Sequence, residues 1–83
     1  MHKTIFLYAT TGCHLCERAE RLLASMPELH RFTVTVVDVV DHPGAFEKYA
    51  EHIPVLEAEG LEGVLRWPFH ADQVLDFLDR AER

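Results

Sequence analysis

The stretch ATTGCHLCERAERLL, residues 9–23, holds both cysteines of the 83-residue chain, Cys13 and Cys16, three positions apart. They stand where an apolar run gives way to a helical pattern. Upstream, TIFLYA (4–9) is continuous, β-branched and aromatic, as in a strand covered on both faces. Downstream, Leu15, Ala19, Leu22, Leu23 and Met26 recur at a spacing that puts them on one helix face, and Pro27 ends that helix. A C-x-x-C pair at a strand-to-helix junction admits three readings: half of a zinc site, a structural staple, or a working redox pair.

Zinc needs four ligands, and the pair supplies two. No second C-x-x-C exists, the six histidines form no H-x(3–5)-H pair, and His42 and His52 are ten apart. A staple closing so short a loop constrains little of the unfolded chain. The redox reading has physical support. A helix N-terminus offers unpaired N–H groups and a partial positive charge, which favour a thiolate. A cysteine there falls from a free pKa near 8.5 to roughly 3.5–7.5. A second cysteine one turn inward can resolve a mixed disulfide formed on the first. Between them His14, when protonated, would add positive charge, although an exposed helix-start histidine without a role is the plainer reading. Thr11 and Gly12 make a small approach to Cys13, with Gly12 suited to the tight turn.

The rest of the chain supplies a frame. FTVTVVDVV (32–40) reads as a second strand in which Phe32, Val34 and Val36 alternate against Thr33 and Thr35. Asp41 as N-cap and Pro43 near the first helical position suggest a short second helix with Phe46, Tyr49 and Ala50 inward. IPVLEAEG (53–60) gives a third strand, residues 60–63 a turn, and VLRWPF (64–69) a fourth strand. A last helix from about Ala71 carries Val74, Leu75, Leu78 and Ala81 on its inner face. The order is β-α-β-α-β-β-α, an α/β chain forming one domain over 1–83. A right-handed crossover makes the first two strands parallel, and a short turn makes the last two antiparallel. The result is a mixed four-stranded sheet with helices on its faces.

Composition narrows the function classes. The chain is 48% hydrophobic and 27% charged, ordinary for a globular domain. A net charge of −6 without a basic face argues against nucleic acid. No stretch approaches the roughly 20 apolar residues of a membrane span, and no secretory signal is evident. The expected state is a cytoplasmic monomer with no bound cofactor or metal.

FLYATTGCHLCERA (6–19) resembles the opening of glutaredoxins and related small redoxins. With Ile53-Pro54 at the third strand, nearly the whole chain is similar to the thioredoxin fold in its short glutaredoxin-like form. YAEHIPVLE and LRWPF look closer to a subset of short glutaredoxin-like proteins, many of them bacterial. The resemblance implies a thiol–disulfide oxidoreductase in which Cys13 is the nucleophile and Cys16 the resolving cysteine. It makes Pro54 a cis-proline and leaves the Ile53 backbone free to bind an extended substrate. Trp67, with Pro68 and Phe69, becomes an apolar platform for a protein partner, core packing being the alternative. The same resemblance implies a disulfide-containing protein or small molecule as substrate, and glutathione or a thioredoxin-reductase-like protein as reductant. A rival function on this fold is a metal or iron–sulfur carrier, against which Cys16 weighs.

Two departures bear on glutathione and a third on thioredoxin. Thr10 stands where dithiol glutaredoxins carry a basic residue, and RWPFHAD (66–72) stands where they carry a Gly-Gly pair, with Asp72 as the expected cap of the last helix. Leu7 replaces the buried acid of thioredoxins. Weak use of glutathione is expected.

Overall fold

A computed structural model describes residues 3–83. Four strands, β1 (Lys3–Ala9), β2 (Phe32–Asp38), β3 (Val55–Ala58) and β4 (Val64–Arg66), form one sheet in the order β2-β1-β3-β4. β1 pairs parallel with β2, and β3 pairs antiparallel with both β1 and β4. Three helices accompany it: α1 (His14–Ala24), α2 (Pro43–Tyr49) and α3 (Ala71–Glu82). This is the mixed α/β, thioredoxin-like architecture expected from the sequence.

The two central strands explain the continuous apolar run of residues 4–9. Ile5, Leu7 and Ala9 of β1 and Leu56 and Ala58 of β3 point to one face. There they meet Ala19 and Leu23 of α1 and Val74, Phe77, Leu78 and Ala81 of α3. The other face carries Tyr8 and Glu57, which reach α2 through Tyr49. Leu7 is fully buried in the first of these layers, so the site of the thioredoxin acid is here part of an all-apolar core.

Several sequence expectations are corrected. Leu15 and Leu75 lie on exposed helix faces, and Phe77 takes the inward place on α3 that Leu75 was expected to fill. Phe46 is half exposed because α2 makes less than two turns and turns only Tyr49 to the sheet. The N-cap of α2 is His42, one residue past Asp41, which ends a 3-10 turn (Val39–Asp41) that cuts β2 short at Asp38. α3 is capped at His70, whose N–H donates to Gln73 Oε1 at 2.8 Å, and Asp72 lies inside the first turn. β4 stops at Arg66, leaving Trp67 to Phe69 as a separate segment. Val34 and Val36 are exposed because β2 is an edge strand that α1 does not cover.

Candidate active site

The last residue of β1 is Ala9, and the chain turns over four residues before α1 starts at His14. The turn depends on Gly12, whose φ of +80° is costly for any residue with a Cβ although the space around it is open. Thr10 is tied down within it, its hydroxyl donating to Asp38 Oδ1 at 3.0 Å.

Cys13 is itself the N-cap of α1. Its backbone is extended, its carbonyl accepts the Glu17 N–H at 3.1 Å, and its Sγ accepts the Cys16 N–H at 3.1 Å. A sulfur in this position lies where the helix concentrates unpaired N–H donors, so negative charge on it is favoured. Cys16 follows one turn later, with Cα atoms 5.2 Å apart, and the two sulfurs are joined as a disulfide. The environments differ. Cys13 is half-buried at the surface, whereas Cys16 is 1% exposed, next in α1 to a wholly apolar core face.

Pro54 is buried and the Ile53–Pro54 peptide is cis; Trp67–Pro68 is cis as well. The Pro54 carbonyl accepts the Trp67 N–H at 3.1 Å, which fixes the segment after β4 against the start of β3. Trp67 is half-buried, edge-on to Phe69 at 5.0 Å, with the Arg18 guanidinium 5.7 Å from its ring centroid. Phe69 is core, whereas Trp67 packs against the core and stays partly exposed. Leu15, Ile53 and Trp67 line a cleft of about 220 Å³ together with Glu51, His52 and Arg66. Among the described residues the Ile53 N–H and C=O have no hydrogen-bond partner.

The remaining expected residues lie elsewhere around the pair. Thr11 and Gly12 border a separate hollow with Glu17, Glu20 and Asp38. The His14 side chain is 93% exposed and stands 3.6 Å from Glu17. Four cleft residues, Leu15, Glu51, His52 and Arg66, were not legible in the sequence. Leu15 was assigned to the inner face, and the others are polar residues at element ends with no periodicity to mark them.

Sequence reasoning missed a further polar group. Glu57 on β3 accepts hydrogen bonds from both tyrosines of the chain, Tyr8 Oη to Oε1 and Tyr49 Oη to Oε2, each 2.8 Å. The rings are 4.7 Å apart. Burial and the Glu57 carboxylate push the Tyr49 phenol up to about 12 and raise the Tyr8 phenol too. Tyr49 also accepts the His52 N–H on its carbonyl at 2.8 Å, so the network holds the turn that leads into Ile53. The signal available in the sequence was alternation: Glu57 stands between inward Leu56 and Ala58, on the face that α2 covers.

No three His, Cys, Asp or Glu groups gather as a metal site among the described residues, nor is any of their helices long and apolar enough to span a membrane.

The family model of the Glutaredoxin-like domain (DUF836) matches residues 4–79, and the chain belongs to that family. Among solved structures, target protein XcR50 from X. campestris is 29% identical, with a TM-score of 0.73 over 90% of this chain and 95% of that one. Protein Ne2328 from Nitrosomonas europaea, 22% identical, superposes with a TM-score of 0.74 over 93% of this chain and 92% of the other. No curated protein matches the chain.

Proposed function

We propose that this glutaredoxin-like chain is a thiol–disulfide oxidoreductase that reduces disulfides through Cys13 and Cys16. The observation that carries the reading is the asymmetry of the pair: a helix-capping, surface Cys13 and a buried Cys16 one turn inward. In the reduced protein the Cys13 thiolate attacks one sulfur of the substrate disulfide. The Cys13–substrate bond forms, the substrate S–S bond breaks, and the other substrate sulfur leaves as thiolate. Cys16, deprotonated, then attacks the Cys13 sulfur, expels the second substrate thiolate, and leaves the Cys13–Cys16 bridge. Two electrons have moved to the substrate, and an external dithiol or thiol pair returns them.

The proposed substrate preference rests on the cleft that Leu15, between the two cysteines in sequence, shares with Ile53 and Trp67. The unpaired N–H and C=O of Ile53 suit an extended polypeptide that lays its own backbone alongside. The Leu15–Ile53–Trp67 cleft suits an apolar side chain near the substrate cysteine. Glutathione finds less. Thr10 is engaged with Asp38, and the segment after β4 is filled by Trp67, Pro68 and the buried Phe69 in place of approachable backbone. The substrate class proposed is therefore a protein disulfide, and the reductant a protein dithiol of the thioredoxin-reductase type.

The test is trapping. Cys16→Ser should attack and accumulate a mixed disulfide on Cys13, while Cys13→Ser should do neither. Mass spectrometry after mixing with an oxidised peptide reads both. Equal trapping by the two variants, or by neither, sinks the assignment. Saturating turnover with glutathione as sole reductant would instead overturn the substrate preference and leave the cysteine roles standing.

A further inference from the structure

We infer that Tyr49 and Glu57 are positioning residues for the substrate polypeptide, holding one wall of the cleft so that the Ile53 backbone is ready to pair with an extended chain. This role rests on the disulfide exchange proposed for Cys13 and Cys16, and it names what makes that site select a polypeptide. Ile53 lies between two fixed points. Downstream, the Pro54 carbonyl accepts the Trp67 N–H at 3.1 Å. Upstream, the His52 N–H donates to the Tyr49 carbonyl at 2.8 Å and closes the turn between α2 and Ile53. The downstream point adjoins β3, a strand paired on both sides. The upstream point has no such support, because α2 is seven residues long and Tyr49 is the one side chain it buries.

A helix this short is not stable by itself, so the placing of Glu51, His52 and Ile53 on the cleft depends on how Tyr49 is anchored. Burial of the ring sets its depth, and the hydroxyl sets its direction by donating to Glu57 Oε2 at 2.8 Å. Glu57 belongs to β3, three residues after Pro54, and lies between Phe6 and Val64 in the sheet. Cleft and network meet at Arg66, which lines the cleft and whose charge opposes the upward shift of the Tyr49 phenol. Tyr8 donates to the other Glu57 oxygen, also at 2.8 Å, but from β1, a strand already paired on both sides. The two phenols thus make equal bonds to one carboxylate and differ in what they hold. Without the Tyr49 hydroxyl the turn has to be ordered as the substrate binds, which lowers affinity for a chain laid along Ile53. A small thiol that lays no backbone there does not meet that cost.

Tethering measures this without turnover. In a Cys16→Ser chain, Cys13 is equilibrated with 2-mercaptoethanol and an uncharged, acetylated pentapeptide carrying leucine on each side of its cysteine. Mass spectrometry reads the ratio of the two mixed disulfides. The ratio should favour the peptide, and Tyr49→Phe, which keeps the buried ring, should lower that preference roughly three- to tenfold. Glu57→Ala should lower it as far, and adding Tyr49→Phe to it should lower it no further. Tyr8→Phe, which removes an equally short bond, should leave the ratio where it was. The same peptide N-methylated on both sides of its cysteine cannot pair with Ile53 and should be indifferent to Tyr49→Phe, whereas a role in general stability would move both peptides alike. No peptide preference in the Cys16→Ser parent overturns the proposal. So does indifference to Tyr49→Phe, an equal loss with Tyr8→Phe, or an equal loss with the N-methylated peptide. Peptide selection as expected, in a chain whose unsubstituted form turns over no disulfide, would instead remove the oxidoreductase reading and leave the positioning roles standing.

Discussion

Removing the Glu57 carboxylate should destabilise the protein out of proportion to its half-buried position. The side chain accepts from Tyr8 and Tyr49 at once, both at 2.8 Å. A hydrogen bond to a charged group contributes about 1.5–3 kcal/mol, and a buried donor left without a partner costs about 1–3 kcal/mol. Tyr49 is 5% exposed and cannot turn to water, whereas Tyr8 is half-buried and partly can. Glu57→Ala should therefore cost roughly 2–4 kcal/mol, most of it at Tyr49. At about 0.05–0.15 kcal/mol per residue, 83 residues give a total stability of about 4–12 kcal/mol, so the loss is a large fraction of it. Urea unfolding followed by circular dichroism measures it. A second readout isolates the carboxylate from simple packing. Burial and Glu57 hold the Tyr49 phenol at about 12, above its ordinary value near 10. A group whose folded value is raised contributes stability that is complete below the unfolded value and disappears as pH climbs through the folded one. Stability from Tyr49 should thus be intact to about pH 10 and be lost toward pH 12. Absorbance at about 295 nm, the phenolate band, should show almost no ionised tyrosine in the folded protein at pH 10, and Glu57→Gln should move the titration down. A loss under about 0.5 kcal/mol for Glu57→Ala, or ordinary phenol titration in the folded wild type, would refute the reasoning.

The two faces of α3 give a contrast that needs no functional assay. Phe77→Ala removes a core ring that is 1% exposed and should cost about 3–5 kcal/mol, while Leu75→Ala on the exposed face should stay within about 0.5 kcal/mol; comparable losses in urea unfolding would mean the helix is phased otherwise. At the redox pair, a bulky alkylating reagent applied to the reduced protein should label Cys13 well before Cys16, because Cys16 is enclosed by the core. Peptide mapping after short reaction times decides it, and simultaneous labelling would contradict the asymmetry on which the proposed mechanism rests.

What the sequence disclosed and what it withheld divide by the range of the forces involved. The Cys13–Cys16 turn was legible because its physics is local: a glycine able to take positive φ, a capping residue, and an apolar period of α1 all lie within a dozen residues. The sense of the β1–β2 and β3–β4 pairings followed from connection lengths, which are also short-range facts. Coverage is not local. Nothing in VTVV tells whether a helix will lie over it, and α1, continuous with β1, covers the central strands and leaves Val34 and Val36 outside. The phase of a helix suffers in the same way. Leu15 and Leu75 each fit an apolar stripe, yet a neighbour with better access to the sheet took the inward place, Cys16 and Phe77 respectively, and of the stripe expected on α2 Tyr49 is buried while Phe46 is not.

That division bears on the chemistry. Leu15 lies outside the core because Cys16 lies inside it; a helix start one residue different would exchange their places. With Cys13 held as N-cap by Gly12, the next inward position on α1 falls three residues on, at Cys16, and the residue before it is forced outward. The C-x-x-C spacing thus does two things through one helical geometry. It buries the resolving sulfur, and it presents the side chain between the cysteines to the cleft that Ile53 and Trp67 complete. Exchange chemistry and substrate contact are then coupled by the phase of α1. Shifting that phase, for instance by Gly12→Ala at its strained turn, should disturb both together even though neither cysteine has been changed.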